Sequence, residues 1–572
     1  MKRLLALAAL ILFAGPSGRD IHAQGGRRFV PVTDAMLQKP SDSDWLMWRR
    51  TLDGWGYSPL NQINRDNVAR LRQVWTRDMT AGGSNESTPL VHEGVMYLPN
   101  TGDKIQAIDA QTGDLIWDYQ RPLRNDRRGT NRNIAIYGNT IIDTSMDNAV
   151  YAIDAQTGKL AWETQILDPT KPANASSGPI IANGKIISGR QCQPGATHEG
   201  CIITAHDAKT GKEIWRTRTI PRPGEPGDET WGGVPMEERW HVGTWMVPSY
   251  DPELNLIYIG TSVTIPAPKF ILGGNDNKHL YHNCTLALDA DTGKIVWYYQ
   301  HIVDHWDLDH PFERLLLDTA VAPDPSQVTW INPKIRAGEV RKVLTGIPGK
   351  TGIVYTLDRA TGEFLWARPT VMQNVVSKID GATGKVTVNP DTLFTADGQT
   401  RLICPSANGG KDFPAGAYSP QTNVMYYGLQ NLCFDVTTSE NHSTAYAFTS
   451  KGRLSPGTEN AGSIFAISAE TGKTLWRYDQ RAGMMSSVAT GGGLIFTGDT
   501  VGHFRAFDQQ NGKILWDVNL DAELSGYPVT FAVKGKQYVA VSTGSSLVSG
   551  AVNTLIGAKP PKVNAVYVFA LP

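Results

Sequence analysis

The sequence predicts an all-β fold, an eight-bladed β-propeller whose ring is closed by the C-terminal strand joining the N-terminal blade. Three observations predict it. A hairpin phrase recurs seven times, the two halves of the same phrase stand apart near the two ends of the chain, and no long apolar stretch of 3.6-residue period occurs after the first 23 residues.

The phrase reads AIDAQTGDLIW at 107–117, AIDAQTGKLAW at 152–162, AHDAKTGKEIW at 205–215 and ALDADTGKIVW at 287–297. It returns as TLDRATGEFLW at 356–366, AISAETGKTLW at 466–476 and AFDQQNGKILW at 506–516. Each copy is a short apolar strand, a tight turn whose Gly supplies the left-handed conformation, and a second strand ending in Trp. A unit of this kind exposes an apolar face that only its neighbour covers, and the Trp is a large plug suited to that seam.

The segment LRQVW, ending at Trp75, carries the closing half of the phrase alone, and the C-terminal NAVYVFALP carries the opening half. Joined, they make an eighth unit and leave no free sheet edge at the join.

Successive Trp residues lie 42 residues apart from Trp75 to Trp117 but 110 apart from Trp366 to Trp476. A four-stranded blade takes about 40–50 residues. The surplus lies between Trp162 and Trp476, so residues 24–572 are expected to form a single propeller domain with functional insertions between about 163 and 465. Separate helical domains fit poorly, since 57 Gly and 34 Pro are spread throughout.

Charge narrows the function classes. The 54 Lys and Arg nearly cancel the 55 Asp and Glu, so no electrostatic footprint points to nucleic acid or an anionic membrane. Residues 1–23, with two basic residues, an apolar run too short for a bilayer and a small-residue site near Ala23, read as a secretory signal. The mature chain is therefore expected to be soluble, without a membrane span, and exported to the periplasm. In that oxidising compartment Cys192 and Cys201 could staple a short loop and Cys404 with Cys433 a longer one, leaving Cys284 as a buried hydrophobe. No CxxCH occurs, so no c-type haem is attached to these 572 residues.

HWDLDH at 305–310 is the chemically charged phrase. In an extended segment Asp307 and Asp309 leave the chain on one side, and two like charges there call for a cation or a shared proton.

With WGYSPLNQI near the N-terminus, the AxDAxTGxxxW hairpins and the WDxD loop, the chain resembles the quinoprotein alcohol dehydrogenases that use pyrroloquinoline quinone (PQQ). The likeness covers about residues 40–572. SSGPIIANG, PGEPGDETWG and NAVYVFALP bring it nearest the periplasmic sorbose/sorbosone and broad-specificity alcohol and aldehyde dehydrogenase branch. The hairpin alone is shared with non-enzymatic propellers of an outer-membrane assembly factor, so the site residues decide between an enzyme and a scaffold.

By position, the resemblance implies that Glu86, Arg132 and Ser176 hold the carboxylates of the quinone, that Trp245 stacks under its plane, and that Asp412 contacts it. It implies Asp307 as the catalytic base and Lys350 as the group at the reactive quinone carbonyl. A metal, calcium or with Asp309 a lanthanide, is implied beside Gln193, Asp307 and Asp309.

Two positions depart from the family. Asp126 and Arg127 stand where many relatives have adjacent cysteines, and Gln193 and Val263 stand where many have the Glu and Asn metal ligands. The implied reaction passes the hydroxyl proton of an alcohol to Asp307 and hydride to the quinone, with electrons then leaving for an external cytochrome c. The oligomeric state is not legible.

Overall fold

The computed structural model describes residues 29–124, 129–171, 173, 175–194, 198–303 and 305–572. The expected signal segment, Asp126 and Arg127 lie outside the described residues.

The described strands build eight blades around one axis. The first blade is the join: Arg72–Asp78 pairs antiparallel with the C-terminal Ala565–Ala570, which pairs with Lys536–Thr543, and that with Val529–Val533. The next four are four-stranded meanders, beginning at Leu90–His92, Ala135–Tyr137, Ile180–Ala182 and Ser249–Asp251. The sixth begins at Leu315–Val321 and carries Trp330–Ile331 as an extra edge strand. The seventh begins at Ala417–Ser419, and the eighth, beginning at Met484–Thr490, gains the parallel strand Tyr57–Ser58. First strands are almost wholly buried and fourth strands, such as Leu115–Gln120, are half-exposed, so the first strands face the axis.

The repeated phrase now has a physical explanation. The Trp of one blade lies against the turn glycine of the next: a Cβ on Gly113 would stand 2.8 Å from Trp75, and one on Gly293 would stand 2.4 Å from Trp215. The indole N–H of Trp117 donates to Ala155 O of the following blade at 3.1 Å, and that of Trp215 to Ala290 O at 3.1 Å. Gly is required twice at each turn, by its left-handed φ (+81° at Gly113) and by the indole against it. The Asp of the phrase caps the turn, as Asp109 Oδ1 accepts from the Gln111 and Thr112 N–H groups.

The extra elements beyond these blades occur mainly in the expected stretch. They include the hairpin Val376–Ile379 with Val386–Val388, and a three-stranded sheet of Thr400–Ile403, Leu432–Thr438 and Phe448–Leu454. Cys192 is bonded to Cys201 and Cys404 to Cys433, while Cys284 is free and buried. No helix among the described residues is long and apolar enough to cross a membrane.

Candidate active site

The residues singled out from the sequence share one topological address. Glu86, Arg132, Ser176, Trp245, Asp309 and Asp412 each stand three to six residues before the first strand of a blade. Because those strands line the axis in the same direction, their leading loops converge at one end of the ring. Lys350 reaches the same place from the loop between Glu339–Gly346 and Ile353–Asp358.

A cavity of about 290 Å³ opens there, lined by Glu86, Arg132, Ser176, Trp245, Asp307, Asp309 and Lys350, together with Ser84, Thr130, Gln191, His241, Tyr446 and Leu547. At one end of the cavity Arg132 is the centre. Its Nη2 is 2.5 Å from Glu86 Oε2, its Nη1 donates to Ser176 Oγ at 2.7 Å, and its Nε is buried with no partner among the described residues. The guanidinium lies over the Trp245 ring, 5.1 Å from the centroid, and Trp245 meets Phe312 edge-on at 5.4 Å. Glu86 is itself fixed by the Leu547 N–H at 2.8 Å.

At the other end Lys350 Nζ lies 3.2 Å from Asp307 Oδ1 and 3.7 Å from Asp309 Oδ2. Burial opposes the Lys350 charge, but Asp307, Asp309 and Asp412 outweigh it and hold the ammonium above its ordinary value. Burial also opposes ionisation of Asp309. Lys350, His241 and the N–H groups of Val263 (2.7 Å) and Trp245 (3.1 Å) overcome it and hold the carboxyl below the usual range. Asp412, buried behind Lys350 and outside the lining, is pushed up to about 6 by desolvation.

Two expectations are corrected. HWDLDH is not a strand: Asp307 has φ +69°, so strand alternation does not bring the two carboxylates together, and Lys350 does. The cavity is lined by Gln191, whose Nε2 donates to Ser262 Oγ at 2.9 Å, and Gln193 lies beyond the lining. The chain passes the cavity at Gln191, and Cys192 then ties it to Cys201. Val263 serves through its backbone N–H on Asp309.

The sequence reading missed His241 and Tyr446. His241 stands four residues before Trp245 in HVGTW, a proximity that could have marked it, whereas nothing in NHSTAYAF distinguishes Tyr446. His241 Nδ1 is 3.2 Å from Val263 O, and burial keeps the ring below its ordinary pKa.

The donor set fits a planar polycarboxylate at Arg132 and Trp245, where the unspent Nε remains, and a hard cation beside the oxygens of Asp307, Asp309 and Gln191. Only Asp44, His92 and Glu93 form a group of three ligating side chains within 4.8 Å among the described residues, and both His92 nitrogens are already bonded, to Asp44 and to Val30 O.

The PQQ family model for the β-propeller domain of glucose, ethanol and alcohol dehydrogenases matches residues 45–382 and 480–539. The dehydrogenase subunit of the quinone alcohol dehydrogenase of Komagataeibacter europaeus is 31% identical over 547 residues, 88% of this chain and 71% of that subunit. The lanthanide-dependent methanol dehydrogenase of Methylacidiphilum fumariolicum is 31% identical over 562 residues, 91% of this chain and 88% of that protein. A europium-containing methanol dehydrogenase superposes with a TM-score of 0.83 at 27% identity, over 94% of this chain and 99% of the other. The chain therefore belongs to the PQQ-dependent alcohol dehydrogenases.

Proposed function

We propose that the mature chain, residues 24–572, works as one propeller domain in the periplasm, oxidising an alcohol to an aldehyde or ketone with Asp307 as general base. Arg132, Ser176 and Trp245 would hold the quinone, with Glu86 orienting Arg132 and Asp412 acting through Lys350. Asp307, Asp309 and Gln191 would hold a hard cation, calcium or a lanthanide. When bound, the quinone supplies a two-electron acceptor and the cation a Lewis acid beside it. Electrons would leave for a separate acceptor such as cytochrome c, a reading supported by the lack of CxxCH in these residues.

One observation carries the assignment of the base. The Asp307 side chain is 21% exposed at the cavity while Lys350, 6% exposed, fixes one of its oxygens. Asp307 can thus meet a substrate hydroxyl and take its proton. Lys350 compensates the carboxylate now and remains to stabilise an oxyanion when the proton has moved. The relatives' names support alcohols as the substrate class, methanol and other alcohols among them.

Asp307→Asn tests the reading. The variant is expected to bind the quinone as the parent does, by titration of tryptophan fluorescence, and to lose turnover of simple alcohols by about 10³-fold. Unchanged turnover would exclude Asp307 as the base.

A further inference from the structure

Excursions from two non-adjacent blades meet above Asp307. One leaves the fifth blade between Leu256–Gly260 and Cys284–Asp289, and the other lies between Leu432–Thr438 and Phe448–Leu454 of the added three-stranded sheet. They touch through a parallel bridge of Ala267 with Tyr446. The Ala267 N–H donates to Ala445 O at 3.0 Å, and the Ala447 N–H donates to Ala267 O at 2.7 Å. The bridge is isolated and forms a single clasp.

The clasp delivers the Tyr446 ring to the cavity, where its hydroxyl donates to Asp307 Oδ1 at 3.2 Å. The ring is held independently of that bond. It lies 5.7 Å from Phe448 and 6.3 Å edge-on from His241, and the hydroxyl of Thr444 anchors the Tyr446 carbonyl at 3.0 Å.

Two donors therefore share one oxygen of Asp307: the ammonium of Lys350 and the phenol of Tyr446, each at 3.2 Å. A carboxylate oxygen has two lone pairs, and filling both from fixed groups stops rotation of the carboxylate about its Cβ–Cγ bond. We propose that Tyr446 is a positioning residue for Asp307, fixing Oδ1 with Lys350 so that Oδ2 is the oxygen that accepts the hydroxyl proton of the alcohol. The inference rests on the reading of Asp307 as the base. It assigns to an insertion, carried by a different blade, the task of aiming that base. The phenol keeps its own proton throughout, so it neither supplies nor removes one in the reaction.

The test is Tyr446→Phe, which removes one hydroxyl and leaves the ring and the backbone clasp. Steady-state kinetics of the enzyme loaded with quinone and metal are expected to show kcat reduced about 10- to 100-fold, the loss of one hydrogen bond to a charged group, with KM near the parent value. In an Asp307→Asn background the same substitution is expected to add no further loss.

Unchanged kcat in Tyr446→Phe, or a loss confined to KM, overturns the inference. Full turnover in Asp307→Asn overturns the base assignment itself, a separate failure. Melting curves and quinone titrations of each variant identify any that are misfolded or unloaded, and kcat is then compared per bound quinone.

Discussion

Lys350 reaches Asp307 across 3.2 Å from within the same blade, one residue in the segment that leads into its first strand and the other in the loop joining its second and third. The Lys350 N–H also donates to Asp309 O at 2.8 Å, so backbone and side chain both tie the loop to the WDLD turn. The ammonium pairs with both carboxylates. Lys350→Met is therefore expected to lower turnover about 10²- to 10³-fold, because it removes the buried ammonium and leaves two carboxylates uncompensated. Comparison of kcat per bound quinone in the variant and the parent measures it.

Arg132 spends one nitrogen on Glu86 and another on Ser176 while its Nε has no partner among the described residues. Lysine keeps the charge and loses the fork. Arg132→Lys is thus expected to weaken quinone binding about 10- to 100-fold, since bidentate recognition of a carboxylate needs the planar group. Isothermal titration with the quinone reads the change directly. An unaltered affinity would move the anion site away from Arg132.

The fold was legible because each copy of the hairpin phrase satisfies two neighbours at once. Gly293 must turn its own hairpin and also receive Trp215, so neither residue can drift. The split between Trp75 and the C-terminal strand was legible for the same reason, as Arg72–Asp78 pairs with Ala565–Ala570. The site was legible where it lay within motifs, at Arg132, Trp245 and Asp307. It was misread where spacing alone had to decide. The resemblance implies Gln193 whereas Gln191 lines the cavity, because nothing in the sequence shows where the loop leaves the cavity for its disulfide. Tyr446 was invisible because its place depends on a two-residue clasp with Ala267, a long-range contact with no periodicity.

The Trp and Gly seam can be weighed by substitution. Gly293 and Gly535 both have left-handed φ, +71° and +77°, but a Cβ at Gly293 meets the Trp215 ring at 2.4 Å and one at Gly535 meets nothing within 4 Å. Gly535→Ala therefore carries only backbone strain, about 1 kcal/mol. Gly293→Ala adds displacement of a packed indole and is expected to cost about 2–4 kcal/mol in all. Melting temperatures of the two variants isolate the packing part, and equal shifts would show that the seam adds nothing.

Buried histidines predict the response to acid. His279 is fully buried, stacks on Trp231 at 4.6 Å, and has no partner among the described residues for either ring nitrogen. Burial, reinforced by Lys269, His282, His305 and Arg239, depresses its pKa to about 2. The folded protein therefore keeps this ring neutral while the unfolded chain protonates it near its ordinary value of 6.5. Its contribution is fully present above about pH 6.5 and is lost as pH falls toward 2, at up to about 1.4 kcal/mol per pH unit. Buried carboxyls such as Glu523, raised to about 7 by desolvation, act in the opposite direction, so the slope of the parent alone does not isolate the imidazole. His279→Phe keeps an aromatic ring against Trp231 and removes the titration. Relative to the parent, the variant is expected to gain about 2 kcal/mol more at pH 5 than at pH 8, by denaturant unfolding at the two values. A difference that does not change with pH would mean that this imidazole is already solvated or paired in the fold.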